Sequence, residues 1–177
     1  MTEPAASNET PFWRFSLHFY RQAGVAEACI ALQDQCGVDV NLLLFLLWLA
    51  AGRRQLSAAN VKELDAAVRD WRQLTIVPIR DVRRKLKGVA TPLEANKQEA
   101  FRTKIKAIEL EAERLQQEAL YSRSRSALLG CEAAPAVAAR ANLAAYEQVL
   151  AARFPKAALD RLGNAFDAVK FDEFVAR

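Results

Sequence analysis

Glycine and proline are scarce, six of each in 177 residues, and no alternating run of β-branched residues appears. An all-β fold, which needs frequent turn residues, is therefore excluded. Three cysteines, Cys29, Cys36 and Cys131, make an odd count without close spacing, which builds neither a disulfide framework nor a zinc pattern. They read as buried, reduced thiols. The one histidine, His18, lies four residues after Arg14 and three before Arg21, and both cations oppose its protonation and repel a metal. There is no glycine-rich phosphate loop. Asp34 and Asp39 stand five apart across a helix break without a second acidic cluster, so no doubled-aspartate magnesium site forms. No metal, no cofactor and no catalytic constellation is expected, and the residues read as those of a non-enzymatic protein.

Long apolar runs are also missing. The longest, residues 40–51, is interrupted only by Asn41. It spans about 18 Å at ~1.5 Å per residue, against roughly 30 Å for a bilayer. No transmembrane segment is expected. Residues 1–9 lack a basic region and an apolar stretch, so they read as a disordered lead and not a signal peptide. These features fit a cytoplasmic protein.

What the sequence does have is helix punctuation. With 52% hydrophobic and 26% charged residues it suits a globular chain. Thr10-Pro11 is a cap with proline at the first helical position, and Gly24 closes that helix. Further helices are expected over about 25–36, 40–51 (capped by Asp39) and from Ser57 through Val61, Leu64, Val68 and Trp71. Pro78 should break or kink the chain at Ile76-Val77, with a short helix following to Lys87. Thr91-Pro92-Leu93-Glu94 reads as a capping box opening a long helix to about Ser122. An alanine-rich helix and a last helix ending near Gly163 complete an all-α, single-domain bundle over 10–163. The tail, 164–177, keeps Phe166, Phe171 and Phe174 and is able to dock. Leu42 to Leu49 leave no solvent face, which puts their helix at the centre.

Three patterns bear on function. The first helix has two apolar stripes, Phe12-Phe15-Phe19-Ala23 and Trp13-Leu17-Tyr20. Either it is wedged between two layers of its own protein, or the second stripe meets a partner or hydrophobic ligand. Along the long helix, Phe101, Ile105, Ile108, Ala112, Leu115 and Ala119 repeat at 4-3-4-3-4. This seam over 101–119 packs within the chain or makes a homo-oligomer. The net charge of +4 is concentrated: residues 51–90 hold ten basic and four acidic side chains. There Arg80, Arg83, Arg84 and Lys87 fall on one helical side with no acidic partner inside their helix. Arg53, Arg54 and Arg72 are candidates to extend the patch. The stripe is a solvated face, or is salt-bridged to acids on another helix such as Glu109 or Glu113, or is a site for an anion or an acidic partner.

Phe12-Trp13-Arg14-Phe15-Ser16-Leu17, Leu32-Gln33-Asp34, Gly37 to Leu44, Trp71-Arg72 and Pro78 to Lys87, in this order, resemble a family of short bacterial proteins known only as a conserved domain of unknown function. The resemblance covers about 11–125 and implies a bacterial, cytoplasmic, helical protein with no assigned activity and no catalytic residues to carry over.

The residues then support an interaction protein offering its basic helical face to an acidic protein partner. A nucleic-acid-associated protein contacting phosphates through the same stripe is the alternative; no stacking aromatics are interleaved with it, since Trp71 falls on the apolar face. A third reading is an enzyme or carrier for a hydrophobic anion, held by aromatics and arginines. A cavity of several hundred Å³ beside residues 80–87 would favour it.

Overall fold

A computed structural model describes residues 10–126 and 128–174; the lead, 1–9, lies outside them. The protein is all-α. Helices α1 (Pro11–Tyr20), α2 (Val25–Cys36), α3 (Val40–Ala51) and α4 (Ala58–Trp71) come first. Helices α5 (Val77–Lys85), α6 (Ala95–Ser126), α7 (Pro135–Leu150) and α8 (Lys156–Ala168) follow. A short antiparallel ribbon pairs β1 (Arg54–Gln55) with β2 (Cys131–Glu132), Arg54 opposite Glu132. Gly130 sits before β2 at φ +66°, and a Cβ there would lie 2.1 Å from the Gln55 carbonyl oxygen, so only glycine fits.

The local caps explain where the early helices start. Thr10 Oγ1 accepts from Trp13 N at 3.0 Å, and Asp39 Oδ1 accepts from Asn41 N at 2.9 Å. Ser57 and Asn60 form a reciprocal capping box. Several boundaries differ from expectation: α1 ends at Tyr20 and not at Gly24, and α6 runs past Ser122 to Ser126. Thr91 Oγ1 is used by Leu93 N and Gln98 instead of a helical cap, and α6 begins only at Ala95. The last helix runs through Gly163 to Ala168, because Leu162, Ala165 and Phe166 continue its buried face.

A further difference is at Pro78. The chain does not break there. Arg72–Ile76 forms a π turn in which Val77 N–H bonds to the Arg72 carbonyl, and Ile76 and Val77 keep helical angles. A π turn has room for a proline ring that a regular α turn crowds. Helices α4 and α5 are thus one continuous rod.

Helix α3 is the hub. Leu42 to Leu49 are buried except Trp48, which is half-buried and donates Nε1–H to the Phe174 carbonyl at 2.9 Å. Each buried Leu or Phe contributes about 1.5–3 kcal/mol. The alanines of α7 let that helix approach α3 closely enough for Asn142, fully buried, to bridge three backbone groups. It donates to the carbonyls of Leu46 and Arg54 and accepts from Leu56 N. Phe166 and Phe174 are buried in the same core. Of the cysteines only Cys29 is buried, which pushes its thiol up to about 12; Cys36 is half-buried and Cys131 exposed. The buried reading fails for Cys131 because both residues of the short strand β2 are exposed.

Candidate functional site

The first stripe of α1 enters the core, with Phe12, Phe15 and Phe19 fully buried, whereas Ala23 is exposed beyond the helix end. The second does not. Trp13, Leu17 and Tyr20 line a groove of about 500 Å³ whose other walls come from α2, α5 and α6, with Val40, Asn41 and Leu44 of α3 among its lining. The groove is of the size that accommodates small ligands. Ile30 of α2 and Leu110 of α6, each about half exposed, are also part of its lining.

Three of the predicted cations reach this groove: Arg80, Arg83 and Arg84. They are not unpaired, because neighbouring helices supply the acids that their own helix lacks. Arg80 donates Nε–H to Glu109 at 2.9 Å, Nη2–H to Glu113 at 2.7 Å and Nη1–H to Gln33 at 2.7 Å. Arg83 binds both oxygens of Glu109, Nη2 at 3.2 Å from Oε1. Arg84 meets Asp34 at 3.2 Å, both half exposed. Lys87 is exposed and stands outside the groove lining. Two cations that sequence reasoning missed, Arg21 and Lys106, complete the lining. Five cations and two carboxylates leave the groove at +3.

The two carboxylates behave differently. Burial would raise Glu109, but hydrogen bonds from Arg83 and Arg80 outweigh it and hold the carboxyl below its ordinary value. Burial dominates at Glu113 and raises it, only partly offset by Arg80. Two buried polar atoms at the groove, Ser16 Oγ and Gln117 Oε1, have no hydrogen-bond partner among the described residues. Gln117 is fixed from its other end, Nε2 donating to Asn41 Oδ1 at 2.8 Å. Buried polar atoms left unmet cost about 1–3 kcal/mol each; Gln116 Oε1, away from the groove, is unmet as well.

Arg72, Arg53 and Arg54 do not join this patch. Arg72 points into the protein and clamps Asp39 Oδ2 at 2.7 Å and Asp65 Oδ1 at 3.0 Å. Burial opposes its charge, but these two carboxylates prevail and raise its pKa. Gln116 Nε2 donates to the same Asp39 oxygen at 2.5 Å, and the Tyr146 hydroxyl accepts from Asp39 N at 2.9 Å. Asp39 is therefore a cap, as read, and also the anchor of a buried ionic cluster. Arg53 takes φ +63° to turn into the ribbon and pairs with Glu132 at 3.1 Å. Arg54 donates to the carbonyls of Leu129 and Gly130. Among the described residues no cluster of His, Cys, Asp or Glu is arranged to hold a metal, and no helix is long and apolar enough to cross a membrane.

Residues 11–120 match the family described as protein of unknown function, DUF2390. The chain belongs to the DUF2390 family. No curated protein and no solved structure matches it. The DUF2390 span contains every side chain lining the groove, from Trp13 to Gln117, together with the Arg72 cluster. The helices α7 and α8 lie outside it.

Proposed function

We propose that this DUF2390 protein is a non-enzymatic cytoplasmic binding protein whose groove holds an organic anion with an apolar body. One observation carries the reading: an aromatic and aliphatic wall, a net positive lining and two unmet buried polar atoms meet in one cavity of about 500 Å³. Trp13, Leu17 and Leu44 would cover the apolar part. Arg84 and Lys106 would hold the charge; Lys106 has no ion-pair partner among the described residues. Arg80 and Arg83 are held rigid by Glu109 and Glu113, so they contribute field and shape at little entropic cost.

Calorimetry with decanoate, decanol and decyltrimethylammonium tests this. Decanoate is expected to bind with one-to-one stoichiometry, about tenfold or more tighter than the alcohol, with no binding of the cation. An Arg84→Ala/Lys106→Ala variant should lose about tenfold. Equal binding of all three probes, or of none, would refute the proposal.

A second reading, an acidic protein partner reaching the same rim, is favoured by the exposed apolar residues Ile30 and Leu110. Nucleic acid would have fewer cations to use than the stripe suggested, since Arg53, Arg54 and Arg72 are engaged elsewhere.

A further inference from the structure

The seam over 101–119 divides along its length. Ile105 and Ala112 are buried against the α4–α5 rod, whereas Phe101, Ile108 and Leu115 are exposed, Ile108 by 58%. The rod runs antiparallel to α6: Arg80 meets Glu113, while further along the Leu86 carbonyl accepts from Gln98. On the rod, Trp71 donates Nε1–H to the Ala112 carbonyl at 3.0 Å, and Leu74, one turn on, is 78% exposed. Five large apolar side chains on two adjacent helices thus lie uncovered on a face of α6 different from that of Lys106, Leu110 and Gln117, which line the groove. Contiguous apolar surface of this kind marks an interaction site.

The charges beside the seam indicate what covers it. Lys97, Lys104, Glu111 and Glu118 recur at the same seven-residue interval and fall along one edge of Phe101, Ile108 and Leu115. The N-terminal half of that edge is basic and the C-terminal half acidic. Lys97 pairs with Glu94 at 3.2 Å, Lys104 has no ion-pair partner among the described residues, and Glu111 and Glu118 share the single Arg114.

We infer that this face binds a second copy of the chain, α6 against α6, antiparallel about a two-fold axis at Ile108. That arrangement sets each lysine half against the glutamate half of the other copy, and Phe101 against Leu115. A parallel two-fold pairing would set this edge against the opposite edge of the partner's α6, so its lysine and glutamate halves would not meet. An isologous two-fold contact needs one self-complementary patch, and this edge is one. The groove stays open in the dimer because it uses another side of α6.

Sedimentation equilibrium on the full chain tests the inference. The wild type is expected to be dimeric at about 100 µM. Ile108→Lys, which places two lysines at the axis, should weaken dimerisation about a hundredfold or more with helical content unchanged. Lys104→Glu and Glu111→Lys should each weaken it about tenfold, and the double swap Lys104→Glu/Glu111→Lys should restore most of the loss. Should Ile108→Lys misfold, the three charge variants decide alone. A monomeric wild type, a dimer indifferent to Ile108→Lys, or a double swap no better than the single ones would each overturn it.

Discussion

Two grooves of similar volume flank α3, and they are opposite in charge. The one under α1 and α5 measures about 500 Å³ and carries +3. The other, between α7 and α8 with Leu47 of α3 in its wall, measures about 410 Å³; there Arg140 faces Glu147, Asp160 and Asp167, a net −2. The first has unmet polar atoms at Ser16 and Gln117; none of the buried unmet side-chain atoms lines the second. The first lies wholly inside the DUF2390 span, and the second lies outside it except for Leu47. Volume alone would rank them together. Charge and unsatisfied hydrogen bonding separate them, because a ligand gains most where it completes groups the fold leaves incomplete.

The sharpest way to break the comparison is to remove what supports both grooves. Arg72 ties the start of α3 to α4 through Asp39 and Asp65, and Arg72→Ala leaves the buried Asp39 carboxylate without its cation and Asp65 with Arg69 alone. Urea unfolding should show a loss of about 3–5 kcal/mol, and a loss below about 1 kcal/mol would mean that the cluster does not anchor α3.

Reversing the first groove alone is the next largest change. Each of Arg84→Glu and Lys106→Glu removes two positive charges, taking the lining from +3 to −1. Decanoate affinity should fall about a hundredfold, with stability altered by less than about 1 kcal/mol, since Arg84 and its partner are half exposed. Neutralising Asp160 and Asp167 in the second groove should leave decanoate affinity unchanged.

The acid limb of stability gives a smaller effect. Folded Glu109 titrates below its ordinary value of 4.5, so the unfolded chain binds a proton first as the pH falls. The contribution is complete above about pH 4.5 and is lost as the pH drops through the folded value. Glu109→Gln should flatten that limb in urea unfolding between about pH 3 and 7. Glu113 has the opposite sign: its raised folded value means its charge costs stability once the pH passes 4.5. Glu113→Gln should therefore leave neutral-pH stability unchanged or slightly higher, by under about 1 kcal/mol. An equal loss from both variants would mean that the two carboxylates are not set apart as described.

The helices α1, α3 and α4 were legible in the sequence because their caps are local, Thr10, Asp39 and Ser57 each acting within three residues, and α2 because Gly24 and Gly37 bound it. The central place of α3 followed from its lack of a polar side, and the double character of α1 from Trp13, Leu17 and Tyr20. The acids that neutralise the stripe were legible in part: Glu109 and Glu113 could be named as candidates on another helix, but their pairing with Arg80 and Arg83, and that of Asp34 with Arg84, could not be fixed. Glu109 lies 29 residues beyond Arg80, and Asp34 lies 50 before Arg84, so only the fold brings them together. The π turn hid behind Pro78 for a different reason: proline signals the loss of a hydrogen bond, and a widened turn is one of two ways to absorb it. Asn142 gave no periodic pattern at all, since its role depends on three carbonyl and amide groups from other segments.

The central claim, that one of the two grooves is a site for an apolar anion, is tested most directly by following backbone amide resonances during titration with decanoate. Saturable shifts are expected at Ser16, Leu17, Tyr20, Leu44 and Gln117, with Ala139, Leu143 and Leu159 of the second groove unmoved. Shifts confined to the second groove, or spread evenly over both, would contradict it.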